Sequence, residues 1–336
     1  MSSKATRLFR LYEPEFPEWL NEYINTVELQ TQKNVHTACG ITETKLFNNA
    51  ARYSSLEHSI GVALIIWHFT HDKKQTLAGL FHDIATPAFK HCVDFLHNDY
   101  MKQETTESRT SEFINKPEVV KLLKRDNIKL SEIDNYHLYP IADNDTPQLS
   151  ADRLEYTLSN IYAVFQIGNL SKVRRFYNDI EVGKNEKGEP ELTFKTLEIA
   201  RDFVKITSEL SVCYRGYKDC YSMQFIADIL GHLIEDGAFS ENDLYNLSED
   251  SVIKIINHSK YRGVFNIWRQ STEIKTSKTC PKDVYSVHHP SKTRYIDPLV
   301  KGKRISKIDA ESQKMIQKNL NTKFEDYAYI PEIHGF

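Results

Sequence analysis

The stretch GLFHDIATPAFKH, from Gly79 to His91, decides how the chain is read. A run fit for a buried helix, Leu77 to Phe81, ends in an adjacent imidazole and carboxylate, His82 and Asp83. A tight turn at Thr86-Pro87 follows, and then a second helix that brings in His91. Burying these two polar groups side by side is costly unless something compensates. A divalent cation does so, because it neutralises the carboxylate and uses the imidazole lone pair. One His and one Asp are too few ligands, so further ones are expected from nearby helices. His58 stands at the head of the apolar helix HSIGVALIIWHF, where a polar group needs a reason. Asp152 opens the later apolar helix of LSADRLEYTLSNIYAVF. The expected metal set is His58, His82, Asp83 and Asp152, drawn from three helices.

Outward from this centre, most of the first 260 residues keep helical periodicity, with few Gly and Pro breaks. Gly237 is a natural helix stop, and Ser240–Asp243 and Ser248–Ser251 read as helix starts. After about Tyr261, VYSVHHP, TRYIDPLV and KRISKID read as short strands. The expected fold is mainly α, a helical bundle with a small C-terminal α/β lobe. Its expected divisions are an N-terminal extension (1–45), a helical domain (46–262) and a mixed lobe (263–336). The polar segment EVGKNEKGEPE (181–191) reads as a mobile loop.

The formal charge of −3 over 336 residues argues against a nucleic-acid coat. Five scattered cysteines form no CxxC pair, which excludes a thiolate zinc site and suits a reducing compartment. The first residues lack the apolar core of a signal peptide, and Val62–Trp67 is too short to span a bilayer. These features predict a cytoplasmic protein with no membrane partner.

The order EHSIGVAL, AGLFHDIATPAFKH and SADRLEY resembles the HD-domain metal-dependent phosphohydrolases. In particular it is similar to their deoxynucleoside triphosphate triphosphohydrolase branch, of the SAM-and-HD-domain type. That pattern, H…HD…D, implies metal ligation by His58, His82, Asp83 and Asp152, and a homo-oligomer acting on a nucleotide. The metal is manganese, iron, zinc, nickel or magnesium, since imidazole plus carboxylate accepts each of these. The likeness implies that His91 and Asp94, three residues apart on one helix face, form an acid–base pair beside the metal. On this reading Asp94 fixes the His91 tautomer and raises its pKa, making it a better proton donor. It further implies substrate contacts by Tyr156, Arg215 and Tyr217.

The chain also departs from the pattern HDxxHxPFxH. Thr86 stands where the second His is usual, and QETTES offers Glu104, Thr106 and Glu107 where another is expected, so Glu107 enters the catalytic set. Ser55 replaces the arginine three residues before the first ligand, with Arg52 one turn earlier as its substitute at the phosphates. Hydrolysis of a deoxynucleoside triphosphate to deoxynucleoside and triphosphate is the first expectation. Two others stay open: hydrolysis of another phosphate ester, such as a nucleoside monophosphate or cyclic nucleotide, and a regulatory module that binds nucleotide without turnover.

Overall fold

The computed structural model describes residues 1–47, 50–101, 109–290 and 292–335. The fold is mainly α. Its central helix, Ser55–Thr70 (α2; α1 is Ser3–Tyr12), starts in a reciprocal capping box between Ser54 and Glu57. It is buried nearly all round from Ser55 to Ile66, as an interior helix must be when its apolar residues have no single face. His71 takes a left-handed turn, and Asp72 then caps Lys73–Phe81 (α3) by accepting the amides of Lys74 and Gln75. The two helices pack closely at Gly79, where a Cβ would lie 2.2 Å from Ile66 Cδ1. Helix α3 therefore delivers His82 and Asp83 directly beside α2.

Cys92–Leu96 (α4) is a short helix, and Ala151–Ser159 (α5) is capped by Ser150. Helix α5 continues into a π-helical turn over Asn160–Val164, a distortion often found at functional sites. Helices Leu197–Cys213 (α6), Tyr217–Glu235 (α7) and Glu249–His258 (α8) follow. The expected stops and starts hold: Gly237 has φ 74°, Ser240 and Asp243 cap each other, and Ser248 accepts the Ser251 amide.

Two small sheets flank the helices. Strands β1 (Ile180–Lys184) and β2 (Pro190–Phe194) pair antiparallel. They are joined by β5 (Leu299–Val300), parallel to β2, and β6 (Lys303–Arg304). The second sheet has the order β3 (Lys275–Ser277), β7 (Tyr327–Tyr329), β4 (Ser286–Val287). The segment expected to be a mobile loop is thus a β-hairpin. Leu192 and Phe194 anchor it in the core, and Asn185 Oδ1 closes the turn on the amides of Lys187 and Glu189, at 2.9 and 3.0 Å. KRISKID is a strand only at Lys303–Arg304; Ile305–Ile308 is helical.

The core forms two clusters. One gathers α1, α2, α3 and α5 with Val300, Ile305 and Ile316 from the C-terminal region. The other gathers α4, α7 and α8 with Val287, Ala328 and Ile330 from the same region. The loop between α3 and α4 runs from the first cluster, at Ile84, to the second, at Ala88 and Phe89. It carries the residues from His82 to His91. Among the described residues, no helix is long and apolar enough to cross a membrane.

Candidate metal centre

His58 sits in the first turn of α2, 4% exposed, and its Nδ1 lies 2.5 Å from Glu155 Oε2 on α5. Glu155 is fully buried and also accepts a hydrogen bond from the Tyr53 hydroxyl at 2.8 Å. Gly61, one turn after His58, makes room for this carboxylate: a Cβ there would lie 2.7 Å from Glu155 Cγ. His82 Nδ1 lies 2.7 Å from the Gly79 carbonyl. With both Nδ1 atoms engaged, both Nε2 atoms face inward, the arrangement that ligand imidazoles need.

One potential ligand atom from each of His58, His82 and Asp83 lies within 4.8 Å of the others. Asp152, on α5, joins them, with Oδ1 3.0 Å from His58 Nε2 and 3.8 Å from His82 Nε2. The residues fit a divalent cation on the chemistry of the donor set: two inward imidazole nitrogens, two carboxylates, and outer partners that fix both rings. Burial alone would lower the His58 pKa, but hydrogen bonds to Asp152 and Glu155 push it up to about 10. A buried cluster of this anionic character calls for positive charge.

Part of that charge comes from Lys90, a residue that sequence reasoning missed. Its Nζ lies 2.6 Å from Asp83 Oδ2, and the side chain is buried. Burial opposes ionisation of Asp83, yet the Lys90 ammonium and the neighbouring imidazoles hold its carboxyl far below the usual range. Phe89 and Lys90 are in the left-handed region, φ 66° and 43°, which β-carbon-bearing residues keep only when the surroundings impose it. Glu249 on α8 helps impose it, accepting the Phe89 amide at 3.3 Å while pairing with His36 Nδ1 at 2.6 Å.

His91 precedes α4, and its Nδ1 lies 2.8 Å from Oδ2 of the fully buried Asp94. The pair is therefore formed as its spacing suggests, but its electrostatics differ from expectation. Burial lowers the His91 pKa, Arg294 and Lys90 lower it further, and Asp94 does not offset them, so the net direction is down. The imidazole is poised neutral.

His58, His82, Asp83, Lys90, His91 and Asp152 line one cavity of about 690 Å³. Tyr156 lines it, as do Tyr136, Tyr214, Tyr295, Arg294 and Asp219, none of which the sequence singled out. Burial, only partly opposed by Arg294, raises the Asp219 pKa to about 8. The other expected substrate residues lie away from the lining. Arg215 donates to the Asn319 and Thr322 carbonyls and sits over the Phe324 ring. The Tyr217 hydroxyl accepts the Asp326 amide at 3.2 Å, and Arg52 pairs with Glu43 and Asp250. Thr86 is buried outside the lining, its carbonyl held by Gln32. Glu104, Thr106 and Glu107 lie outside the described residues.

No protein-family model matches the chain. It is 26% identical over 285 residues to the uncharacterized protein YdhJ of Bacillus subtilis, covering 84% of this chain and 83% of that one. It is 21% identical over 293 residues to the metal-dependent phosphohydrolase cns2 of Cordyceps militaris, covering 84% and 80%. Among solved structures, a hypothetical protein from Aquifex aeolicus superposes with a TM-score of 0.60 at 16% identity, over 94% of this chain and 93% of that one. A phosphohydrolase from Bacteroides thetaiotaomicron does so with a TM-score of 0.54 at 14% identity, over 94% and 95%. The chain thus shares sequence with a metal-dependent phosphohydrolase and its fold with a phosphohydrolase.

Proposed function

We propose that the protein is a metal-dependent phosphohydrolase of nucleotides, with deoxynucleoside triphosphates as the substrates the sequence resemblance favours. One observation carries the hydrolase reading: His58, His82, Asp83 and Asp152 converge in a cavity that is also lined by His91, the imidazole of the His91–Asp94 pair. The similarity to a metal-dependent phosphohydrolase supports it. A divalent cation, which those four residues would hold, would supply an acidified water and polarise a phosphoryl oxygen. Asp94 keeps the proton of His91 on Nδ1, so Nε2 is the atom that exchanges protons with the reacting group. The negative charge of an arriving phosphate counters the pull of Lys90 and Arg294 and raises the pKa of His91. The imidazole then becomes a proton donor to the leaving oxygen. Tyr156 and its aromatic neighbours offer flat faces to a base. Assembly as a homo-oligomer belongs to the same proposal.

A specific observation favours a nucleoside monophosphate as a second reading. Among the described lining residues, Asp219 is held protonated at neutral pH, and the remaining carboxylates Asp83, Asp143, Asp145, Asp152 and Glu189 equal Lys90, Arg153, Lys187, Lys292 and Arg294 in number. Part of the basic charge is also committed, Arg153 to Asp143 and Lys187 to Asp145. Even with a divalent cation added, this balance suits a phosphate dianion better than a triphosphate.

A nucleotide panel with several metals, assayed for phosphate, pyrophosphate and triphosphate, tests both readings. Triphosphate from a deoxynucleoside triphosphate supports the first. Phosphate from monophosphates, with triphosphates untouched, supports the second. Binding without release under every metal would replace both with a regulatory module.

A further inference from the structure

The position of Lys90 has no counterpart in the ligand set or the acid–base pair. Its ammonium meets Asp83 at Oδ2, the same oxygen that lies 3.7 Å from His82 Nε2 and so faces the ligand cluster. A cation bound by that oxygen repels the ammonium and weakens its hold on the carboxylate. With Asp83 and Asp152 matched by a divalent cation, the Lys90 charge is left over. A buried ammonium without an anion is costly. The anion that enters this cavity beside the metal, on the hydrolase reading, is a phosphoryl group. Lys90 directly precedes His91, so ammonium and imidazole enter the cavity from the same turn.

We propose that Lys90 is a phosphate-binding residue that exchanges partners, pairing with Asp83 in the metal-free protein and with the phosphoryl group once a divalent cation occupies the centre. The exchange makes metal and phosphate binding cooperative, because the metal releases the group that the phosphate needs. It also predicts that Lys90 competes with the metal for Asp83. The inference rests on the phosphohydrolase reading.

The test measures manganese binding, and then inorganic phosphate binding at saturating manganese, by calorimetry on the full chain. Lys90→Met should bind manganese at least as tightly as wild type while binding phosphate about 10- to 100-fold more weakly, the range for a lost charged hydrogen bond. Lys90→Arg should hold phosphate within a few-fold of wild type. If Lys90→Met is unstable without metal, it is purified and measured with manganese present, where Asp83 has its cation. Unchanged phosphate affinity in Lys90→Met overturns the proposal, and so does a manganese affinity that collapses with it, which would make Lys90 a support of the metal site. Wild-type protein that binds both ions but hydrolyses no nucleotide overturns the reaction and leaves the Lys90 result standing.

Discussion

His91 and Asp152 sit in the same cavity but answer to different physics, and substitution separates them. On the proposed assignment Asp152 is one of two carboxylates in the donor set, so Asp152→Ala should lose most bound metal and all activity. His91 lies outside that set. His91→Ala should keep near wild-type metal while turnover falls by about 10²–10⁴-fold, the usual range for a lost acid–base group. Metal analysis and rates on the same preparations decide it; a His91→Ala protein emptied of metal would make His91 a ligand. Asp219 offers a test by pH. Its folded-state pKa of about 8 exceeds the ordinary aspartate value, so the folded state holds a proton that the unfolded chain has already released. Stability therefore declines as pH rises from about 4 to about 8, and the cost is complete above that. Asp219→Asn removes it. Relative to wild type, the variant should gain thermal stability across that window, by at least about 1 kcal/mol near pH 8, roughly the worth of one pKa unit. Equal melting curves at pH 5 and pH 8 would show that Asp219 ionises normally.

Helix α2 shows how an element sets up the chemistry. Its apolar surround was legible, because it is a local pattern. Glu155 was harder to read. It follows Asp152 by three residues on α5, but its role depends on α5 crossing α2 at Gly61, and no single segment encodes a crossing. Lys90 was missed for the same reason, since its partner is fixed by a left-handed loop that Glu249 braces from α8. The hairpin at 180–194 was misread because most of its polar residues from 181 to 190 face solvent, while its anchors, Leu192 and Phe194, lie at one end and the buried Glu191 finds its partner, Arg304, far along the chain. Gly61→Ala tests the crossing. The new methyl would press on Glu155 Cγ and Oε1, both 2.7 Å from an ideal Cβ. Overpacking of this kind costs about 1–3 kcal/mol, and loss of an outer partner typically weakens metal binding about 10–100-fold. Gly61→Ala should therefore lower both thermal midpoint and metal affinity, although residue 61 touches no metal. A variant that loses stability while binding metal normally would mean that Glu155 does not orient His58.

At the scale of the whole molecule, the proposed centre is a joint between the two core clusters. Of the four proposed ligands, His58 and Asp152 lie on α2 and α5 of the first and His82 and Asp83 directly follow α3, while the loop from His82 to His91 crosses to the second, where Glu249 ties it to His36. The ligands come from segments far apart in sequence, so the unfolded chain cannot present them together, and metal binds the folded state alone. Such binding stabilises by mass action, by about 2.7 kcal/mol when free metal is 100 times the dissociation constant. Removing the metal with a chelator should lower the melting midpoint by several degrees, and adding it back should restore it. Asp152→Ala should show neither change. Hydrogen exchange locates the effect: metal should slow exchange at the start of α2, along 82–91 and at the start of α5, while the β3–β7–β4 sheet stays as it was. Protection spread evenly over the chain would point instead to a global gain with no joint, and unchanged exchange at 82–91 would mean that the metal does not reach the second cluster.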